Sequence, residues 1–425
     1  MLPAGEDSGD IAWVLAATGL VMLMTPALGF FYGGLVRRKN LVSTIVQCFI
    51  IFAVVSLVWA LWGYSLAFGP NVYGIVGNLS NVGLNGVGAA PNPLYSTTIP
   101  ALLFFAFQLK FAAITPALII GAVAERIRFK ALLIFIVLWA TLIYAPLAHW
   151  VWGDGGWLAS LGVLDFAGGL VVHISAGLSA IAAALVVGRR KDDPVVRRSA
   201  HPNNVPFVIL GAALLWFGWF GFNGGSALAA DALAVNALVD TNLAAAAAAV
   251  SWMLVDWVWK GKPSAVGMAV GSVAGLVGIT PAAGFVDPQA AIIIGLGAGI
   301  LSNLVSNWRL RTRLDDSLDV FACHGAGAIW GVFATGLFAT VAVNIRGANG
   351  LFYGNPHLAL VQTFAIVVVA GFCFLGSYAL LKVIGWFTPL RVTPQEEDAG
   401  LDLSEHGEEA YDGVEAPPTQ GTKSA

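Results

Sequence analysis

The amino-acid sequence predicts an all-α integral membrane protein: eleven transmembrane helices, built as an inverted 5 + 5 repeat with one further C-terminal helix. Three observations predict it. Of the 425 residues, 58% are hydrophobic and only 11% charged, with a mean hydropathy of +0.80. A soluble domain carries about 25% charged residues, so this chain lacks the polar surface that water requires. Apolar runs long enough to cross a bilayer recur from Ile11 to Phe387, with no soluble domain between them. Two short patterns then repeat five runs apart, an odd offset that reverses the direction of crossing.

At about 20 residues per crossing, the spans fall near residues 11–36, 41–68, 98–124, 131–152, 166–188, 206–230, 241–260, 264–284, 289–308, 320–343 and 358–387. Polar or Gly/Pro-rich connectors separate them, and the longest, Gly69 to Thr98, holds no charged residue. One repeated pattern is Ile-Thr-Pro-Ala, at 114–117 in the third span and 279–282 in the eighth. The other is an Asp-to-His stretch that opens the fifth span as Asp165…His173 and the tenth as Asp319…His324. An inverted repeat places a functional site near the midplane, where its halves meet. The chain divides into a membrane domain, 1–387, and an acidic C-terminal tail, 388–425.

The basic residues set an orientation. Arg37-Arg38-Lys39, Arg126/Arg128/Lys130, Arg189-Arg190-Lys191 with Arg197-Arg198, Lys260/Lys262 and Arg309/Arg311/Arg313 each follow an odd-numbered span. With Lys382, Arg391 and Lys423, nineteen bases lie on one side; Arg346 alone lies on the other, and Lys110 sits within a span. A multi-pass protein of the cell's inner (plasma) membrane is expected, N-terminus outside and C-terminus cytoplasmic. The acidic start lacks the basic region of a cleaved signal peptide. A net charge of −3 gives no argument for nucleic acid. Cys48, Cys323 and Cys373 lie in apolar runs, which suits free buried thiols rather than disulfides.

Of six histidines, only His173 and His324 lie well inside predicted spans. Polar groups there are costly and face a cavity or one another. Three readings stand: a pair that ties two helices together, a metal site, for which no third ligand is obvious, and a pair lining a pore. The last is preferred. Each neutral imidazole is donor and acceptor at once, so a pair solvates a small neutral amine without a fixed charge that would trap a cation. Asp165 either binds a cation or caps the fifth span, and capping is preferred; Asp319 has the same capping reading before the tenth. Phe107 and Phe111 share one face of the third span, Trp152 ends the fourth, and Phe222 and Ser226 lie in the sixth. Aromatic faces attract a bare cation by about 0.5–2 kcal/mol, although packing or an interface belt explains most aromatics in a membrane protein. Lys110, between the two phenylalanines, costs at least about 2.5 kcal/mol unless it snorkels, pairs or loses its proton.

Taken together, the motifs resemble the ammonium transporter (Amt/Rh/Mep) family, and bacterial members in particular. The stretches that carry the resemblance are Gly29-Phe-Phe-Tyr-Gly-Gly, Ala124-Glu-Arg-Ile-Arg-Phe129, Asp165-Phe-Ala-Gly-Gly-Leu-Val-Val-His173-Ile-Ser-Ala-Gly177, Gly218-Trp-Phe-Gly-Phe-Asn-Gly-Gly-Ser226, Gly278-Ile-Thr-Pro-Ala282, Asp319-Val-Phe-Ala-Cys-His324-Gly and Gly400-Leu-Asp-Leu-Ser-Glu-His-Gly-Glu-Glu-Ala-Tyr411. They run from the first span to the tail. The resemblance implies a homotrimer with one pore per subunit and an outer ammonium site of Phe107, Phe111, Trp152 and Ser226. It also implies a gate of Phe111 and Phe222, twin pore histidines His173 and His324, Asp165 as a buried acid supporting deprotonation, and Thr280 along the pore wall. Lys110 departs from the pattern, and if charged near the pore it repels a cation.

The tail carries nine acids and two bases with Pro389, Pro394, Pro417 and Pro418, a composition that reads as a disordered terminus. The resemblance instead implies a tail packed on the cytoplasmic face, docking of a PII-type signal protein, and Ser404 at a position that is phosphorylatable in some relatives. No cofactor or metal is expected. The preferred function is a transporter or channel for ammonium and ammonia, the alternative a sensor of the same fold. An enzyme is disfavoured because no nucleophile–base pair stands out.

Overall fold

The computed structural model describes residues 5–191 and 202–411. Arg197, Arg198 and Lys423, part of the orientation argument, lie outside the described residues, as do Pro417 and Pro418. Among the described residues, ten helices are long and apolar enough to cross a membrane: Ser8–Leu35, Arg38–Phe68, Ala101–Val123, Phe129–Ser160, Gly169–Val187, Val205–Ala227, Ala232–Lys260, Pro288–Arg309, Phe321–Phe338 and Pro356–Phe387. A shorter apolar helix, Ala265–Ile279, takes the eighth place and completes the eleven spans.

The differences from expectation have local causes. The seventh span begins nine residues early because Asp231 caps it, accepting from the Leu233 and Ala234 amides at 3.0 Å. The polar residues that mask this start in a hydropathy reading are buried and bonded to protein. The Asn236 amide donates to the Ala283 and Val286 carbonyls and to Asp240, and Thr241 accepts from Asn223. The eighth helix stops at Ile279, next to Thr280, which is itself helical at φ −50° and ψ −45°, because Pro281 has no amide hydrogen to continue the ladder. The uncharged connector after the second span is not formless. It folds into two small antiparallel pairs, β1 (Asn71–Val72) with β2 (Val76–Gly77) and β3 (Pro91–Asn92) with β4 (Ser96–Pro100).

The repeat is visible in what surrounds the central cavity. Its wall takes Met24 and Leu28 from the first span and Leu215, Trp219 and Phe222 from the sixth; Ile114 and Leu118 from the third and Val273 from the eighth; His173 from the fifth and His324 from the tenth. These are three pairs of helices, each five spans apart. Within the repeated tetrapeptide the hydroxyls behave alike: Thr115 donates to the Phe111 carbonyl at 2.6 Å and Thr280 to the Leu276 carbonyl at 2.7 Å.

The Asp-to-His echo needs one correction. Asp319 does not cap the tenth span; it accepts from Ser306 Oγ at 3.0 Å and pairs with Arg309. The cap is Asp316, whose carboxylate accepts from the Val320 and Phe321 amides at 3.1 and 2.7 Å. Asp316 lies eight residues before His324, the same spacing as Asp165 to His173. A hydroxyl donor and a guanidinium within reach draw Asp319 away from the helix end.

At the face that carries the described part of the tail, a buried ionic network joins the loops to residues 388–411. Glu125, itself at φ +71°, accepts from Arg37 Nε at 3.0 Å and Arg190 Nη1 at 2.8 Å, and Arg190 Nη2 reaches Asp315 at 3.0 Å. Arg126 is fully buried and donates to the carbonyls of Ala122, Gly188 and Asp315 and to Ser317 Oγ. The described part of the tail packs onto this network instead of standing in solvent. Arg391 pairs with Glu397 at 2.6 Å, Arg128 with Glu396 at 2.7 Å, and Asp402 accepts from the Val42 and Ser43 amides at the start of the second span. Ser404 is exposed, its hydroxyl 3.5 Å from the Glu396 carbonyl.

Burial opposes ionisation of Asp315, but Arg190 and Arg126 outweigh it and hold the carboxyl well below the usual carboxylate range. A depressed folded-state pKa stabilises above the unfolded value near 3.9, and that gain is lost as pH falls further. Asp315→Asn is therefore expected to destabilise the protein by about 3 kcal/mol at pH 7 and only somewhat less at pH 3, where the folded-state carboxyl is still largely ionised. Thermal unfolding of wild type and variant in detergent at the two pH values measures the difference.

Candidate functional site

Two cavities lie in line. The wider, about 460 Å³, opens at the face that carries the N-terminus and is lined by Phe107, Gln108, Phe111, Trp152, Phe166 and Ser226 among others. The deeper is about 10 Å³, room for roughly one water, and is bounded by His173, His324, Trp219, Phe222 and aliphatic side chains. Phe111 and Phe222 separate them, with ring centroids 4.2 Å apart and planes 34° apart. Phe107 meets Phe111 edge-on at 4.9 Å, and Trp152 meets it at 6.1 Å and 89°.

These side chains are held from behind. Trp152 Nε1 donates to the Asp165 carbonyl at 2.9 Å, which fixes the indole. Ser226 Oγ donates to the Phe222 carbonyl at 2.7 Å, so its lone pairs remain available to an incoming donor. Asp165 caps, as its position before the fifth span suggests. Its two oxygens accept from the amides of Gly168, Gly169, Leu170 and Val171 at 2.9, 2.6, 2.8 and 3.2 Å. Gly168 makes this turn possible, because its φ of +120° is closed to other residues.

His173 and His324 meet Nδ1 to Nδ1 at 3.3 Å, with rings 5.4 Å apart and 22° from parallel. A contact between two ring nitrogens needs one proton between them, so one ring donates and the other accepts. The remaining Nε2 atoms then differ: one is a bare acceptor and the other carries hydrogen. His173 Nε2 is buried with no hydrogen-bond partner among the described residues. His173 also stacks on Trp219 at 5.3 Å and on Phe222 at 6.0 Å.

Sequence reasoning missed Trp219, Gln108 and Arg346. Trp219 stood inside a quoted motif, but nothing marked its ring as the one stacked on a histidine. Thr280, expected along the pore wall, lines neither cavity; its hydroxyl accepts from Trp219 Nε1 at 2.8 Å and so supports the wall from behind. Lys110 also lines neither cavity. Its ammonium lies 5.1 Å from the centroid of the Phe52 ring, on the side toward the second span. The three segments that carry Phe222, His173 and His324, namely Phe220–Gly224, Gly169–Ile174 and Phe321–Ala326, are all π-helical turns, a form concentrated at functional sites.

An eleven-span inverted repeat with an aromatic vestibule above a buried imidazole pair defines a membrane transport protein, and no set of three or more metal-ligating side chains is clustered among the described residues. The model of the Ammonium Transporter Family matches residues 12–411, and the chain belongs to that family. It is 50% identical over 404 residues to the ammonium transporter of Bacillus subtilis (strain 168), covering 95% of this chain and 98% of the relative. It is 48% identical over 405 residues to the ammonium transporter Amt1 of Archaeoglobus fulgidus, covering 95% and 100%. Among solved structures, Saccharomyces cerevisiae Mep2 superposes with a TM-score of 0.86 at 36% identity, covering 92% of this chain and 88% of that one. A sensor Amt protein superposes with a TM-score of 0.86 at 31% identity, covering 94% and 98%. The Bacillus and Archaeoglobus relatives are named ammonium transporters, and the family is one of transporters rather than enzymes.

Replacing Asp165 by alanine strands four buried amides at once. Each unsatisfied donor costs about 1–3 kcal/mol, so Asp165→Ala is expected to lose at least about 2 kcal/mol and Asp165→Asn less, since its amide oxygen still accepts. Chemical or thermal unfolding of the purified variants checks the order.

Proposed function

We propose that this protein moves ammonium nitrogen across the cell's inner membrane by taking the cation into the vestibule and passing ammonia along the histidine pair. The alignment of the two cavities, aromatic above and imidazole-lined below, carries the reading. Following the basic residues, the vestibule faces outside and the tail the cytoplasm. Phe107, Phe111 and Trp152 present ring faces and edges to a cation, and Ser226 accepts a hydrogen bond from it. The Asp165 carboxylate lies just below and lends negative potential without contacting the ligand. The Phe111–Phe222 stack closes the way until it swings aside.

Potassium and ammonium match in size and charge, so a ring of fixed charge would not separate them. Desolvation can. Burial depresses an amine's pKa by up to about 3–5 units, so ammonium can surrender its proton at the constriction, whereas potassium must bear the full cost of dehydration. The neutral amine then finds one Nε2 acceptor and one Nε2–H donor along the wall. The proton travels by the imidazole pair, so that net charge crosses. Assembly as a homotrimer with one pore per subunit, and docking of a PII-type protein at the cytoplasmic face, belong to this reading on the strength of family membership.

His173→Ala and His324→Ala are expected to lower ammonium current by about tenfold or more, each tenfold being ~1.4 kcal/mol on the barrier, or to admit potassium. Currents from reconstituted membranes under ammonium and potassium pulses read this. Unchanged ammonium selectivity in both variants would sink the assigned role.

The tail's contacts with the first connector, the third–fourth connector and Lys191 support a regulatory part for residues 388–411. Deleting residues 392–425 is expected to reduce flux, measured by labelled methylammonium or ammonium uptake; normal flux counts against regulation through the tail. The likeness to a sensor Amt protein keeps a sensing role in view, and signalling that responds to ammonium without uptake would favour it.

A further inference from the structure

We propose that Arg346 is an affinity-limiting residue of the outer ammonium site: a fixed positive charge at its rim that opposes cation entry. The inference rests on the vestibule reading above and concerns a residue that reading does not use. Arg346 lies in the connector between the tenth and eleventh spans and lines the vestibule with Phe107, Trp152 and Ser226. It also lines a neighbouring hollow of about 620 Å³ that contains Asp10 and Asp231, and so stands on the wall between the two.

The connector is held in place. The Thr340 amide donates to the Phe285 carbonyl at 2.8 Å, the Val341 amide to Asn349 at 3.0 Å, and the Arg346 amide to Asn344 at 3.0 Å. Its guanidinium has no ion pair or hydrogen bond among the described residues. The two acids next door are directed elsewhere: Asp10 accepts from the Ala230 amide, and Asp231 from the Leu233 and Ala234 amides. No acid forms an ion pair with the guanidinium among the described residues, so its charge beside a site for a cation is offset only at a distance, by Asp10 and Asp231 across the neighbouring hollow; a guanidinium keeps its charge at every relevant pH.

A cavity of about 460 Å³ is roughly 10 Å across. Like charges at that separation repel enough to weaken binding by about two- to tenfold, depending on how much solvent intervenes. The Debye length shrinks from about 30 Å at 0.01 M to about 8 Å at 0.15 M ionic strength. Added inert salt should therefore tighten apparent ammonium binding in the wild type, the reverse of a site that attracts its ligand through acidic groups.

The test is half-saturation for ammonium-driven current in phosphatidylcholine vesicles, with N-methylglucamine chloride setting the ionic strength. At low ionic strength Arg346→Gln is expected to lower half-saturation by about two- to tenfold and Arg346→Glu further, while Arg346→Lys stays near wild type. All differences should shrink at ~0.15 M. Retained maximal current shows that each variant is folded. Equal half-saturation for the Gln, Lys and Glu variants at low ionic strength overturns the proposal. Trp152→Leu separates the two ideas. If it raises half-saturation while the Arg346 series is flat, the vestibule stands and the Arg346 proposal falls. If Trp152→Leu has no effect, the vestibule reading fails and takes this proposal with it.

Discussion

The geometry of the whole conduit is referred to the 3.3 Å contact between the two histidines, and that contact depends on how closely two backbones approach. A Cβ on Gly177 would lie 2.5 Å from the Gly325 nitrogen and 3.3 Å from the His324 carbonyl carbon. A side chain there would force the fifth and tenth spans apart and break the pair. Each histidine sits on a π-helical turn, and the start of each span is capped by a buried aspartate eight residues before its histidine, Asp165 or Asp316. Sequence sets glycine and aspartate at these points; local structure follows, and the aim of the rings follows from that.

Around this contact the two halves are not equal. His173 has Trp219 and Phe222 against its ring, and Trp219 is anchored by Thr280; His324 has a ring contact only with His173 among the described residues. The stacking immobilises one imidazole more than the other. In the proposed cycle the braced ring is the first that the amine meets below the Phe111–Phe222 gate. The opposite face uses a different currency, buried charge. Glu125, Arg190, Asp315 and Arg126 tie the loops that end the third, fifth and ninth spans, and the tail adds Glu396, Glu397 and Asp402 to the same surface.

Much of this was legible in the amino-acid sequence because membrane helices must satisfy their own backbone groups, so long apolar runs have few alternatives. The span order and the meeting of His173 with His324 followed from position in the spans, whereas the grouping of Phe107, Phe111, Trp152, Phe222 and Ser226 came from the family resemblance. What was hidden depended on contacts between distant parts. The early start of the seventh span is concealed by Asn236, Asp240 and Thr241, whose partners lie on other elements. Asp316 and Asp319 are three residues apart, and only the presence of Arg309 and Ser306 beside Asp319 decides which of them caps. Lys110 drew attention as a charge within a span yet lies against Phe52, while Arg346, in an ordinary connector, is the base that reaches the vestibule.

The central claim is that the conduit recognises ammonium by its removable proton. Parallel recording of current and labelled nitrogen uptake in proteoliposomes tests it most directly. The account predicts one elementary charge moved per nitrogen and no current when potassium replaces ammonium. Potassium current of comparable size, or nitrogen entering without charge, would contradict it.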